Sequence, residues 1–123
     1  MVVEKLEDMP KKKIYSIFII LSVFLADFLT KTIAVNKLLL YKSEPVTSFM
    51  NFTLAFNYGA AFSFLSDAGG WQRWFFIIFS ITVICLIIYL LIKENFSEYM
   101  PFSFVLAGAL GNLYDRIYYG YVI

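Results

Sequence analysis

Long apolar stretches alternate along this chain with short polar ones, and three of the apolar stretches reach membrane length. Residues 14–35 are apolar apart from a few polar side chains and two charges, Asp27 and Lys31. Residues 74–92 carry no charge at all. Residues 99–114 are also uncharged and then run into Asp115 and Arg116. Crossing a bilayer as a helix takes about 20 mainly apolar residues. The pattern therefore predicts spans over 14–35, 74–92 and 99–116. Pro101 falls in the first turn of the third, where its missing N–H costs nothing.

The polar connections set the orientation. Lys11, Lys12 and Lys13 directly precede the first span, and such a cluster holds its end in the cytoplasm. Residues 1–13 and 93–98 then lie inside, residues 36–73 lie outside, and 117–123 begin a second outer segment. A basic start before an apolar run is also the pattern of a cleavable signal peptide. Asp27, Lys31 and the length of the run argue for a retained helix. The outer loop has its own pattern: in FMNFTLAFNY (49–58), Phe52, Leu54, Phe56 and Tyr58 alternate with Thr53, Ala55 and Asn57. A period of two predicts a half-buried strand, resting on the bilayer surface or over the helices. A sticky hairpin without function has the same pattern.

Composition narrows the class further. Apolar residues make up 61% of the 123 residues and charged ones 15%, against about 45–50% and 25% in a soluble domain. Aromatic residues at 20% exclude disorder. A net charge of +1 gives nucleic acid no electrostatic footing as a partner. The chain has no histidine, which removes imidazole acid–base catalysis, Ser–His triads and histidine metal sites. The single Cys85 allows no internal disulfide and no zinc cluster, and its apolar setting predicts a buried, inert thiol. No metal and no cofactor is expected. The reading is an all-α membrane bundle with a small β-structured outer loop.

Charges at membrane depth are expensive and mark function by default. At a rise of 1.5 Å per residue, Asp27 lies roughly 21 Å beyond the lysine cluster and Asp115 roughly 24 Å from Tyr99. Both approach the outer edge of a hydrocarbon core about 30 Å thick. Asp27 and Lys31 can pair at i, i+4. Gly108, Asn112 and Asp115 form a polar stripe on the third helix, with Arg116 beside it, while Ala107 and Gly111 allow close helix approach. Two readings fit this spacing: ion pairs and amides that hold the helices together, or a site at the outer leaflet. Without histidine, the chemistry of such a site is carboxylate chemistry, in which two acids share a proton and activate water. Asp27 and Asp115 suit that role poorly. Each has a cation beside it, Lys31 or Arg116, which favours two full charges over one shared proton.

Three blocks in order, ADFLTK (26–31), LAFNYGAAFSFL with GGWQRW (54–74) and GALGNLYDRIYYGYV (108–122), resemble bacterial lipoprotein signal peptidase, or signal peptidase II. The resemblance covers nearly all of the chain from Ile14 onward. It implies a four-helix inner-membrane aspartic endopeptidase, with a β-cradle on the outer membrane surface. Such an enzyme removes the signal peptide from diacylglyceryl-modified prolipoproteins, with membrane lipids around it and no cofactor, as a monomer. By motif, Asn57, Asn112 and Arg116 match residues lining the substrate and inhibitor site. Asp27, Lys31, Gly108 and Asp115 match polar and small positions that support it, and Gly59, Ala60, Ala61 and Phe62 belong to the cradle motif.

The chain departs from the family pattern at its end. There G-x-V-x is followed by Asp-Phe, which holds one catalytic aspartate; the other lies in an F-N-x-A-D block on the fourth helix. This sequence reads GYVI and stops at Ile123. The resemblance thus implies about three-quarters of the enzyme, with no catalytic residue within the chain. Two other readings stand beside it: a non-catalytic paralogue that still binds acylated lipoproteins, and a small structural membrane subunit.

Overall fold

The computed structural model describes residues 2–60, 64–93 and 97–123, with side chains from residue 10 onward. Helix α1 spans Val2–Lys37, strand β1 Ser43–Pro45, strand β2 Asn51–Thr53, helix α2 Trp71–Ile92 and helix α3 Tyr99–Tyr118. Two helical segments, Pro10–Lys37 and Trp71–Ile92, are long and apolar enough to cross a membrane. The first helix begins well before the apolar run at Ile14, with Pro10 inside it. The Glu, Lys, Leu and Met residues preceding that run are good helix formers, so the helix continues where the apolar pattern does not.

Helix α3 is the centre of the bundle, packing against both α1 and α2, while α1 and α2 scarcely touch. Ile84 and Ile87 of α2 meet Leu106 of α3, and Ile20, Phe102, Leu110 and Leu113 close around them. Ala107 is fully buried, as expected of a small residue at a close helix approach. The opposite faces remain apolar: Phe18, Leu21, Ile78, Phe79 and Leu86 are all exposed. Such a surface is unfavourable in water and costs nothing in hydrocarbon, where association rests on packing and hydrogen bonds. Cys85 lies on this outer face and is exposed, contrary to the expectation of a buried thiol. The expectation misjudged rotation, because an all-apolar helix carries no polar face to show which side turns inward.

Strands β1 and β2 form an antiparallel hairpin in which Glu44 faces Phe52. The Ser43 and Thr53 hydroxyls meet across it at 2.7 Å. The long strand expected over 49–58 is broken into pieces. Phe49 sits in the turn and is 90% exposed, and of the predicted inward face only Leu54 is buried. Leu54 bridges Leu40, and Asn57 then leaves the hairpin to pair with Val122. The extended backbone therefore changes partners midway. Phe56 follows it by stacking on Tyr121, with ring centroids 4.2 Å apart.

Candidate functional site

The C-terminal halves of α1 and α3 meet at a charged cluster. Lys31 Nζ lies 2.8 Å from Asp27 Oδ2 and 2.9 Å from Asp115 Oδ2. It also donates to Asn112 Oδ1 at 3.3 Å. An ammonium has three donors, and here three acceptors from two helices use them. The two carboxylates thus reach one level, and the i, i+4 pair forms. The pair expected on α1 is part of a triad that ties α1 to α3.

The small residue that admits this triad is Gly111. A Cβ built there would overlap the Asp27 carboxylate, whereas one built at Gly108 would meet nothing within 4 Å. The spacing placed Gly108 in the polar stripe and Gly111, with Ala107, at the close helix approach, and the second assignment holds. The actual rotation of α3 turns the Gly111 side toward α1.

Arg116 differs from expectation as well. Its Nη2 donates to the Gly59 carbonyl at 2.9 Å. Its guanidinium carbon stands 5.3 Å from the Phe76 ring centroid, a cation–π distance. Its Nε is buried without a hydrogen-bond partner. Lys31 is thus the ion-pair partner of Asp115, while Arg116 reaches from α3 to the loop that precedes α2.

That loop is organised by Asn57. Its Nδ2 donates to Ala60 O at 2.7 Å, while Oδ1 accepts from Gly59 N at 2.9 Å and from Ser66 Oγ at 3.4 Å. Gly59 must be glycine for steric reasons, since a Cβ would collide with the Phe64 carbonyl. The backbone of Asn57 exchanges two hydrogen bonds of 2.8 Å with Val122. Ala61 and Phe62, also assigned to this motif, lie outside the described residues.

Residues 119–123 return from the end of α3 to the site. Gly120 turns the chain with φ 90°. Tyr121 and Val122 dock on Phe56 and Asn57, and the Ile123 N–H donates to Asp115 Oδ2 at 3.2 Å. A cavity of about 190 Å³ beside the triad is bounded by Asp27, Lys31, Asp115, Tyr114, Tyr119 and Ile123, among others. Slight desolvation, followed by neighbouring Tyr114, Tyr118, Asp115 and Tyr121, raises the pKa of the exposed Tyr119 phenol. A wider apolar groove of about 710 Å³ runs between the outer end of α1 and residues 52–55. Among the described residues no cluster of three metal-ligating side chains occurs.

Two contacts had no role assigned from the sequence, although both residues stand in the GGWQRW block. Gln72 is buried; it accepts from Gly70 N at 2.6 Å and donates to Ser66 O at 3.0 Å. Arg73 donates to the carbonyls of Arg116 and Ile117 at 3.0 and 2.8 Å.

The three sequence blocks thus converge on one place. The chain is 49% identical over 106 residues to the lipoprotein signal peptidase of Teredinibacter turnerae, covering 84% of this chain and 63% of that one. It is 48% identical over 103 residues to that of Alteromonas mediterranea, covering 81% and 57%. It thus spans about three fifths of the length of these curated relatives. A bacterial membrane enzyme solved by the in meso method at 2.3 Å resolution superposes with a TM-score of 0.78 at 34% identity, over 88% of this chain and 66% of that one. A family model described as signal peptidase (SPase) II matches residues 19–123. With motif blocks, fold and family match in agreement, the chain belongs to the signal peptidase II family.

Proposed function

We propose that this chain provides the membrane scaffold and substrate site of a lipoprotein signal peptidase, which cuts signal peptides from diacylglyceryl-modified prolipoproteins by an aspartic mechanism. The observation that carries the reading is the convergence at Lys31. One ammonium joins Asp27 of the first block to Asn112 and Asp115 of the third, and Arg116 joins the third block to Gly59 of the second. Asn57, Asn112 and Arg116 line the substrate site, Asn57 acting through the loop that it holds. Asp27, Lys31, Gly59, Ala60, Ala61, Phe62, Gly108 and Asp115 support it. No catalytic carboxylate is assigned among residues 1–123.

In this reading the protein is a monomer in the bacterial inner membrane. It crosses at residues 14–35, 74–92 and 99–116, with the N-terminus in the cytoplasm and the β-structured loop outside. Apolar outer faces and the lysine cluster support that placement. The experiment is binding of a diacylated signal-peptide–lipobox peptide to the purified chain in lipid nanodiscs, with the non-acylated peptide as control. Selective binding of the acylated peptide, weakened about tenfold by Asn112→Ala or Arg116→Ala, is expected for lost hydrogen bonds to a buried ligand. Equal binding of both peptides, unaffected by either substitution, would leave only a structural role for these residues.

A further inference from the structure

We propose that Arg73 is a positioning residue: from the first turn of α2 it clamps the end of α3 and so sets where residues 119–123 lie against Asn57. The inference deepens the peptidase reading and rests on it for its functional consequence.

A helix ends with four carbonyls that have no partner within it. In α3, which ends at Tyr118, the Ile117 carbonyl lies in this last turn, and the Arg116 carbonyl, which accepts the Gly120 N–H at 3.2 Å, has a second lone pair to offer. Arg73 reaches both from another helix, Nε to Arg116 O at 3.0 Å and Nη2 to Ile117 O at 2.8 Å. A planar guanidinium presents donors in a fixed fork, so two bonds define its orientation and theirs. Its positive charge also suits the negative end of the helix dipole. The side chain runs on beside the turn that follows: a Cβ at Gly120 would touch Arg73 atoms at 3.7 Å.

The clamp stands between two attachments of the outer loop. On one side, the Arg116 side chain holds the Gly59 carbonyl. On the other, Val122 is paired with Asn57 through two backbone hydrogen bonds. Shifting the α3 end would move both attachments together, along with the Ile123 amide that bonds Asp115. Gln72, the preceding residue, holds Ser66 of the same loop. The first turn of α2 thereby fixes the loop and the return segment relative to each other. Arg73 is the residue that acts on the return segment.

The test compares wild type, Arg73→Met and Arg73→Lys in nanodiscs by amide hydrogen exchange and by binding of the diacylated peptide. Methionine keeps much of the apolar stem and removes the donors. Exchange at Val122 and Asn57 should accelerate about tenfold, the scale of one charge-assisted hydrogen bond, with the amides of residues 83–87 in α2 unchanged. Peptide affinity should fall in parallel. Lysine keeps the charge without the fork, and should restore only part of the protection and part of the affinity. Unchanged exchange at Val122 in Arg73→Met would overturn the proposal. So would uniform acceleration throughout the chain, or full restoration by lysine, which would reduce Arg73 to a general stabiliser or a point charge. If wild type binds no diacylated peptide, the functional reading fails, and the exchange comparison still decides whether Arg73 sets the return segment.

Discussion

Lys31 on α1 and Asp115 on α3 meet at 2.9 Å, and the same ammonium holds Asp27 at 2.8 Å. One cation therefore serves two acids, of which Asp115 is nearly closed to solvent and Asp27 less so, with side chains 5% and 30% exposed. Removing Lys31 leaves two carboxylates facing each other without the ammonium between them. Breaking a buried ion pair from one side costs about 3–5 kcal/mol. Lys31→Met should accordingly lower the yield of monodisperse protein and its thermal midpoint. Repairing Asp27 alone, in Asp27→Leu/Lys31→Met, should recover little, because Asp115 is still stranded. Adding Asp115→Asn, which keeps an acceptor for the Ile123 amide, should recover most of the loss. Full recovery in the double variant would show that Asp115 does not depend on Lys31.

Gly111 and Gly108 give a sharper contrast. A methyl at Gly111 overlaps the Asp27 carboxylate, which Lys31 prevents from swinging aside. Overpacking of this kind costs about 1–3 kcal/mol. Gly111→Ala should therefore destabilise the bundle, and Asp27→Ala should remove most of that penalty. Gly108→Ala meets open space, and alanine's better helix propensity makes it neutral or stabilising by up to about 1 kcal/mol. Thermal midpoints in one detergent separate the two; equal loss at both glycines would contradict the observed rotation of α3.

Orientation is checked by reporter fusions. With the lysine cluster on the inside, an alkaline phosphatase fused at Asp67 should be active and one fused at Ser97 inactive. Reversing Lys11, Lys12 and Lys13 to glutamates should reduce that asymmetry. Activity at Ser97 in the wild-type chain would invert the layout.

The sequence shows the axial position of each polar group well and its azimuth poorly. Asp27, Lys31 and Asp115 reach one level because helix rise is constant, and counting residues is enough to find it. Which side of α3 faces α1 depends on fractions of a turn, and nearly every neighbouring side chain is apolar. Spacing therefore marks Gly111 and Ala107 for close approach without naming Asp27 as the group that Gly111 admits, and the exposure of Cys85 escapes the same way. The partners of Arg116 and Arg73 are backbone carbonyls, Gly59 O for one and the α3 end for the other. A carbonyl is present at every residue and leaves no signature in the sequence. Alternation in 49–58 does locate the β-structured segment. The exchange of partners between Leu54 and Asn57 depends on residues 121–122, far along the chain, and local pattern is blind to it.

Catalysis by residues 1–123 can be judged from the acids they place in the triad and in the loop before α2. Water attack by an aspartic mechanism needs two carboxylates with one proton between them. Asp27 and Asp115 are the only deep candidates among the described residues, and the Lys31 ammonium stands where that proton and the attacking water would have to be. Glu44 is paired with Lys42 at 3.2 Å on the exposed hairpin, and Asp67 lies exposed in the loop before α2. No two of these acids form a dyad. A purified protein limited to residues 1–123 is therefore expected to bind a diacylated prolipoprotein without cutting it, as followed by mass spectrometry of the released signal peptide in a preparation free of host enzyme. Asp115→Asn should reduce the folded yield and leave the binding of the remaining folded protein nearly unchanged, since the residue holds α1 through Lys31 and accepts the Ile123 amide. Cleavage by the bare chain that disappears in both Asp27→Asn and Asp115→Asn would reverse the assignment. The two acids would then be the reacting pair, and Lys31 would have to leave them during turnover.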